Sequence, residues 1–175
     1  QSTCSFQSMK PTQANMTGRA TAQDVVMTPS TTAKIIIDYF KPTGKLLEPC
    51  RGEGAFYNYM SGDKHWCEIS EGKDFMDWNE QVDWIITNPP YSIFDLFLKK
   101  AMSVADNIVF FVPFSKLFKS KSNDEMVRQY GDIKEIVNMG TGSHHGFQMG
   151  FMVGCIHYKK DYVGDIKYTR LYGRI

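Results

Sequence analysis

Two short segments carry residue types that packing alone does not require. The first is Asn88-Pro89-Pro90-Tyr91, directly after the apolar run Val82 to Thr87. An aromatic exocyclic amine is a poor nucleophile because its lone pair is delocalised into the ring. Two acceptors, one on each N–H, would draw the nitrogen toward tetrahedral geometry and aim its lone pair at an electrophile. The Asn88 side-chain oxygen supplies one acceptor. The Pro89 backbone carbonyl supplies the other, held by the stiff Pro89-Pro90 unit. Tyr91 adds a flat face on which an extruded base can stack.

The second segment is Glu48-Pro49-Cys50-Arg51-Gly52-Glu53-Gly54-Ala55-Phe56, after Lys45-Leu46-Leu47. Gly52 and Gly54 let the backbone turn sharply and approach a ligand closely. The third glycine of a dinucleotide fingerprint is absent, and no Gly-Lys-Ser/Thr follows to cradle nucleotide phosphates. The acidic residue ahead of the turn would repel a pyrophosphate. It suits a cofactor with a cationic amino-acid end, such as S-adenosylmethionine, whose sulfonium carries an activated methyl group. With that electrophile, alignment and electrostatics supply most of the catalysis. Taken alone, the same turn is equally compatible with an ordinary strand-to-helix connection.

These segments need a scaffold that brings them together. Thr28-Pro29 reads as an N-cap with Pro at the first helical position, followed by an apolar stripe through Ile35, Ile36, Tyr39 and Phe40. Pro42 and Gly44 stop that helix. Strands are then expected at 45–47, 65–69, 82–87, 107–112, 133–138 and 151–158, with one more over 165–172. Helices are expected at 55–60, 93–104 and 122–130. Alternating strands and helices imply an α/β fold with a mostly parallel open sheet and helices on both faces. Ligands in such a sheet bind at the carboxyl ends of the strands, where both segments fall.

The segments resemble the amino-methyltransferase branch of the S-adenosylmethionine-dependent methyltransferases, the adenine-specific DNA methyltransferases in particular. The resemblance covers roughly residues 24–160 and implies a Rossmann-like methyltransferase fold. Glu48 to Phe56, with Glu48, Pro49, Cys50, Gly52, Gly54 and Phe56, is similar to the cofactor loop. Asn88, Pro89, Pro90 and Tyr91 are similar to the catalytic loop, with Asn88 beside the cofactor. Thr28 and Pro29 look like the segment over the methionine end of the cofactor. Glu68 looks like the ribose carboxylate, and Asp74 and Phe75 like the pair at the cofactor's adenine. Phe147 stands where the family places a second aromatic against the target base. Three features depart from the pattern. Arg51 replaces a small residue. Only five residues separate Glu68 from Asp74, so the sheet is expected to be shortened at its third-strand edge. Little follows the last core strands, so no separate target-recognition domain is expected.

The 175 residues suit one catalytic domain over 24–175 behind a polar arm, 1–23. The chain opens on Gln1 rather than an initiator Met, as a trimmed chain or fragment does. A composition of 42% hydrophobic and 22% charged residues is that of an ordinary soluble protein, and neither a membrane span nor a signal peptide is expected. The scattered cysteines 4, 50, 67 and 155 and the four histidines argue against a metal site or disulfide framework and for a cytoplasmic setting. Basic ends flank an acidic centre, as a chain gripping a polyanion at its rim would show. Lys116 and Lys119 follow the 107–112 strand and could meet substrate. His144-His145 and the basic, aromatic tail 167–174 are further candidate contacts. DNA is the expected partner, with an RNA base or a protein glutamine amide as alternatives, since both present planar NH2 groups. A specificity subunit could supply target selection, and a non-catalytic binding module remains a third possibility.

Overall fold

Consecutive residues of a strand point to opposite faces, so each apolar run here builds two cores at once. The computed structural model describes residues 26–117, 120–147 and 150–172. The polar arm, Lys119 and Arg174 lie outside the described residues. Strands β1 (Lys45–Glu48), β2 (Asp63–Trp66), β3 (Val82–Thr87), β4 (Ala105–Pro113), β5 (Gly131–Thr141), β6 (Met152–Lys160) and β7 (Lys167–Arg170) form one seven-stranded sheet in the order β2-β1-β3-β4-β6-β5-β7. β6 is antiparallel to both its neighbours, β4 and β5, and the other neighbouring pairs are parallel.

Leu47, Ile85, Ile108, Phe110, Val112 and Ile156 face one side. Helices α2 (Phe94–Val104) and α3 (Lys121–Tyr130) cover them through Phe94, Phe97, Leu98, Ala101 and Val127. Leu46, Ile86, Val109, Phe111, Val137, Val153 and Cys155 face the other side, under Ala33, Ile36 and Ile37 of α1 (Ser30–Phe40) and under Phe56 and Met60. Near-continuous apolar runs such as Ile108 to Val112 follow from this two-sided burial.

The elements agree with the sequence reading except in three places. α1 begins at Ser30, with Pro29 in the N-cap position and no side-chain cap. Thr28 is therefore not the cap; its hydroxyl is used elsewhere. Residues 52–59 form successive turns rather than the expected helix. Gly52 and Gly54 hold φ of +52° and +86°, and the Tyr57 N–H donates to Glu48 Oε2 at 2.6 Å instead of to a carbonyl four residues back. β2 lies two residues earlier than expected and ends before Glu68. The Glu68 side chain caps the next 3-10 turn, Ile69–Glu71, by accepting from the Ser70 N–H, and this takes it out of the strand.

Two 3-10 turns, Ile69–Glu71 and Phe75–Asp77, occupy the stretch between β2 and β3. The sheet accordingly ends at β2, shortened as the close spacing of Glu68 and Asp74 requires. At the opposite edge, buried Glu135 on β5 accepts from Tyr39 Oη of α1 at 2.5 Å, from Thr169 Oγ1 at 2.7 Å and from Lys167 Nζ at 2.9 Å. Burial alone would raise this carboxyl, but the Tyr39, Lys167 and Thr169 donors hold it below the usual range. The Lys167 charge of the basic tail is thus spent on holding β7 in place. Among the described residues no helix is long and apolar enough to cross a membrane, and no group of three or more His, Cys, Asp or Glu could hold a metal ion.

Candidate active site at the strand ends

β1 leads outward to β2 on one side and pairs with β3 on the other, so the strand order reverses between β1 and β3. A crevice opens at such a reversal, beyond the carboxyl ends of the strands. Glu48 ends β1, Asn88 follows β3, and Lys116 follows β4. The loop bearing Phe147 follows β5, which is parallel to β4. The structure therefore gathers the two chemically distinctive segments on one rim.

The turn after β1 is built around the buried Glu48 carboxyl, the half-buried Glu68 and backbone bonds. Glu48 is 1% exposed. Burial pushes its carboxyl up to about 8, against the lowering effect of the Tyr57 N–H. Arg51 N–H donates to the Cys67 carbonyl, and Gly54 N–H to the Arg51 carbonyl. At Gly54 the positive φ is compulsory, and a side chain there would also press on Asn58. Glu68 lies across the turn from Glu48. One oxygen accepts from the Gly52 N–H at 2.8 Å, the other from the Ser70 N–H and hydroxyl. Burial would raise the Glu68 carboxyl, yet the Ser70 and Gly52 donors hold it below the usual range, so it is an anion.

The Arg51 side chain reaches Trp66 and Glu71 beside the turn, and its charge favours the ionised forms of both Glu48 and Glu68. Its guanidinium lies 3.9 Å from the centroid of the Trp66 ring and pairs with Glu71. Asp74 caps the second 3-10 turn by accepting from the Met76 N–H at 2.9 Å. Phe75 and Phe56 are 3% and 1% exposed. Phe75 packs on Phe97 and Phe56 in the α1-side core, so their rings support the cleft rather than line it.

The catalytic-type loop is tied to this turn directly. The Cys50 thiol donates to the Asn88 backbone carbonyl at 3.1 Å and lies 2.9 Å from Thr87 Oγ1. Burial pushes the thiol upward, so it stays a neutral donor. Pro49, Pro89 and Pro90 are buried, which fixes both loops from beneath. The Asn88 amide nitrogen donates to the Val26 carbonyl and the Thr28 hydroxyl, each at 3.2 Å. Its side-chain oxygen accepts from Tyr91 Oη at 2.7 Å.

Tyr91 opens the 3-10 turn Tyr91–Ile93 that leads into α2. Its ring faces that of Phe147, with centroids 6.4 Å apart and planes 15° from parallel. Lys116 Nζ lies 5.4 Å from the Tyr91 centroid and donates to the Tyr91 carbonyl at 3.4 Å. Phe147 itself rests on Phe111 and Phe151. The loop before it is anchored by His145, which is 7% exposed and turned inward. His145 Nε2 faces the Met139 carbonyl and Nδ1 faces Thr32 Oγ1, each at 2.9 Å. His145 is thus an anchor, not the polynucleotide contact that its polar neighbours suggest. Neither the His145–Thr32 contact nor the Val26 carbonyl beside Asn88 is legible in the sequence, because each joins segments far apart along the chain.

No family model matches the sequence, and no curated protein gives a significant match. Solved structures match the fold. A Listeria monocytogenes protein assigned as a class I S-adenosylmethionine-dependent methyltransferase superposes with a TM-score of 0.64 at 14% identity, over 83% of this chain and 65% of that one. The methyltransferase subunit of a type I restriction-modification system from Streptococcus thermophilus gives 0.61 at 15% identity, over 83% and 47%. A Pyrococcus horikoshii protein assigned as an RNA methyltransferase gives 0.56 at 14% identity, over 75% and 83%. This chain spans less than two thirds of the Listeria protein and about half of the restriction-modification subunit. The likeness is one of fold: the chain has the Rossmann-like methyltransferase architecture.

Proposed function

We propose that the chain transfers a methyl group from S-adenosylmethionine to the exocyclic amino group of adenine in DNA. The observation that carries the proposal is the placement of Asn88. It lies at the strand-order reversal, hydrogen-bonded through its backbone to the turn after β1, with its amide oxygen turned toward Tyr91.

The residues present fit the cofactor. Gly52 and Gly54 make the backbone of the turn approachable, and the ionised Glu68 makes it acidic. The one cation in the turn, Arg51, is committed to Trp66 and Glu71, which leaves the turn suited to a cationic ligand rather than a pyrophosphate. Glu68 would hold the ribose hydroxyls, Asp74 the adenine edge, and the rim near Pro29 the methionine end. When bound, the cofactor supplies a methyl group on a sulfonium.

The rest falls to the chain's own groups. Asn88 Oδ1 and the Pro89 carbonyl accept the two N–H bonds of the target amine and turn its lone pair toward the methyl. Tyr91 and Phe147 present near-parallel faces, which suits a flat heterocycle better than an aliphatic amide. Lys116 beside Tyr91 places positive charge where a phosphate of the same strand would pass. The Streptococcus neighbour is a subunit of a restriction-modification system, which supports DNA as substrate and a separate specificity subunit as partner. The Pyrococcus neighbour keeps an RNA base as the second reading.

The test compares the wild type with Asn88→Ala. Methyl transfer should be lost while S-adenosylmethionine binding, followed by calorimetry, stays within about threefold. A parallel loss of binding would remove Asn88 from the reacting centre.

A further inference from the structure

The value of Asn88 depends on which way its carboxamide is turned. Only the oxygen can accept from an amine, and a carboxamide reversed by 180° would present its own donors instead. Asn88 Nδ2 lies 3.2 Å from the Val26 carbonyl and 3.2 Å from Thr28 Oγ1. A backbone carbonyl only accepts, so the group facing it must be the NH2, and the oxygen is left pointing toward Tyr91. The donor side of Asn88 is thereby fully engaged, with two acceptors for its two N–H bonds.

The segment that supplies these acceptors is itself fixed. The Pro29 carbonyl accepts the Ala33 N–H at the start of α1. Gly146 packs so closely on the segment that a Cβ there would fall 2.6 Å from the Met27 carbonyl oxygen. One turn further along, Thr32 meets His145. The same stretch thus braces Asn88 on one side and the loop carrying Phe147 on the other.

We propose that Thr28 is a positioning residue: with the Val26 carbonyl, its hydroxyl holds the Asn88 carboxamide with the oxygen toward the substrate. This rests on the methyl-transfer reading and assigns to Thr28 a task distinct from contact with the cofactor. Thr28 acts through Asn88 and does not touch the reacting atoms.

The test uses Thr28→Val, which keeps the shape and removes the acceptor, and Thr28→Ser, which restores it. The Asn88 side-chain NH2 signals are identified in 15N-labelled protein by their loss in Asn88→Asp. Intact backbone signals from α1 establish that each variant is folded. In Thr28→Val these NH2 protons should shift and exchange faster with water. With saturating cofactor, kcat should fall about tenfold, as for one lost hydrogen bond to a reacting-site group. Cofactor Kd should stay within about twofold, and Thr28→Ser should restore both readouts. Unchanged Asn88 signals in Thr28→Val, or a weakened cofactor Kd with kcat intact, would overturn the proposal. If the wild type methylates no substrate, the functional reading fails, while the NH2 signals still decide the role of Thr28.

Discussion

The Tyr91 hydroxyl donates to the Asn88 side-chain oxygen across 2.7 Å. The atom assigned to accept the substrate amine is therefore engaged by the residue assigned to stack on the substrate. An arriving amine must displace or share that bond, and the aromatic face can be separated from the hydroxyl by mutation.

Tyr91→Phe keeps the face and removes the competing donor. Its kcat/KM should stay close to that of the wild type. Tyr91→Ala removes the face and should weaken substrate binding by roughly 1–3 kcal/mol, the usual range for base–aromatic stacking. Steady-state kinetics on both variants decide the matter. If Tyr91→Phe is as damaging as Tyr91→Ala, the hydroxyl is needed and the stacking role is wrong.

Glu48 gives a pH-dependent signature. Burial pushes its carboxyl from 4.5 to about 8, so the folded state holds a proton that the unfolded chain releases. Stability from this group is present below pH 4.5 and is lost as pH rises toward 8. Glu48→Gln stays neutral throughout. Its stability relative to the wild type should climb across that window by roughly 1–4 kcal/mol and then level off. Urea unfolding of both proteins at several pH values measures the difference. A constant difference would show that Glu48 titrates normally.

Lys116 sits over the Tyr91 ring and on its carbonyl. If it meets a DNA phosphate, Lys116→Met should weaken binding uniformly across sequences. It should also lower the slope of log affinity against log salt by about 1. An unchanged slope would confine Lys116 to bracing Tyr91.

The sequence showed what depends on local side-chain chemistry and periodicity. Asn88 to Tyr91 stood out because no strand-to-helix connection needs two prolines between an amide and a phenol. The shortened edge followed from counting the residues between Glu68 and Asp74. What stayed hidden depends on partners distant in the chain. Residues 55–60 have helical composition, but the Glu48 carboxyl oxygen takes the Tyr57 N–H and two left-handed glycines precede them. Thr28 has the composition of a cap, yet its hydroxyl serves Asn88, sixty residues away. His145 lies in a polar, glycine-rich stretch and turns inward because the Met139 carbonyl and Thr32 await it.

The most direct measurement is methyl transfer from labelled S-adenosylmethionine to unmethylated genomic DNA, total RNA and bulk protein in parallel, with digestion to identify the labelled product. The expected result is label in N-methyladenine from DNA, absent with Asn88→Ala. Label confined to RNA or to glutamine, or no label despite measurable cofactor binding, would contradict adenine in DNA as the substrate.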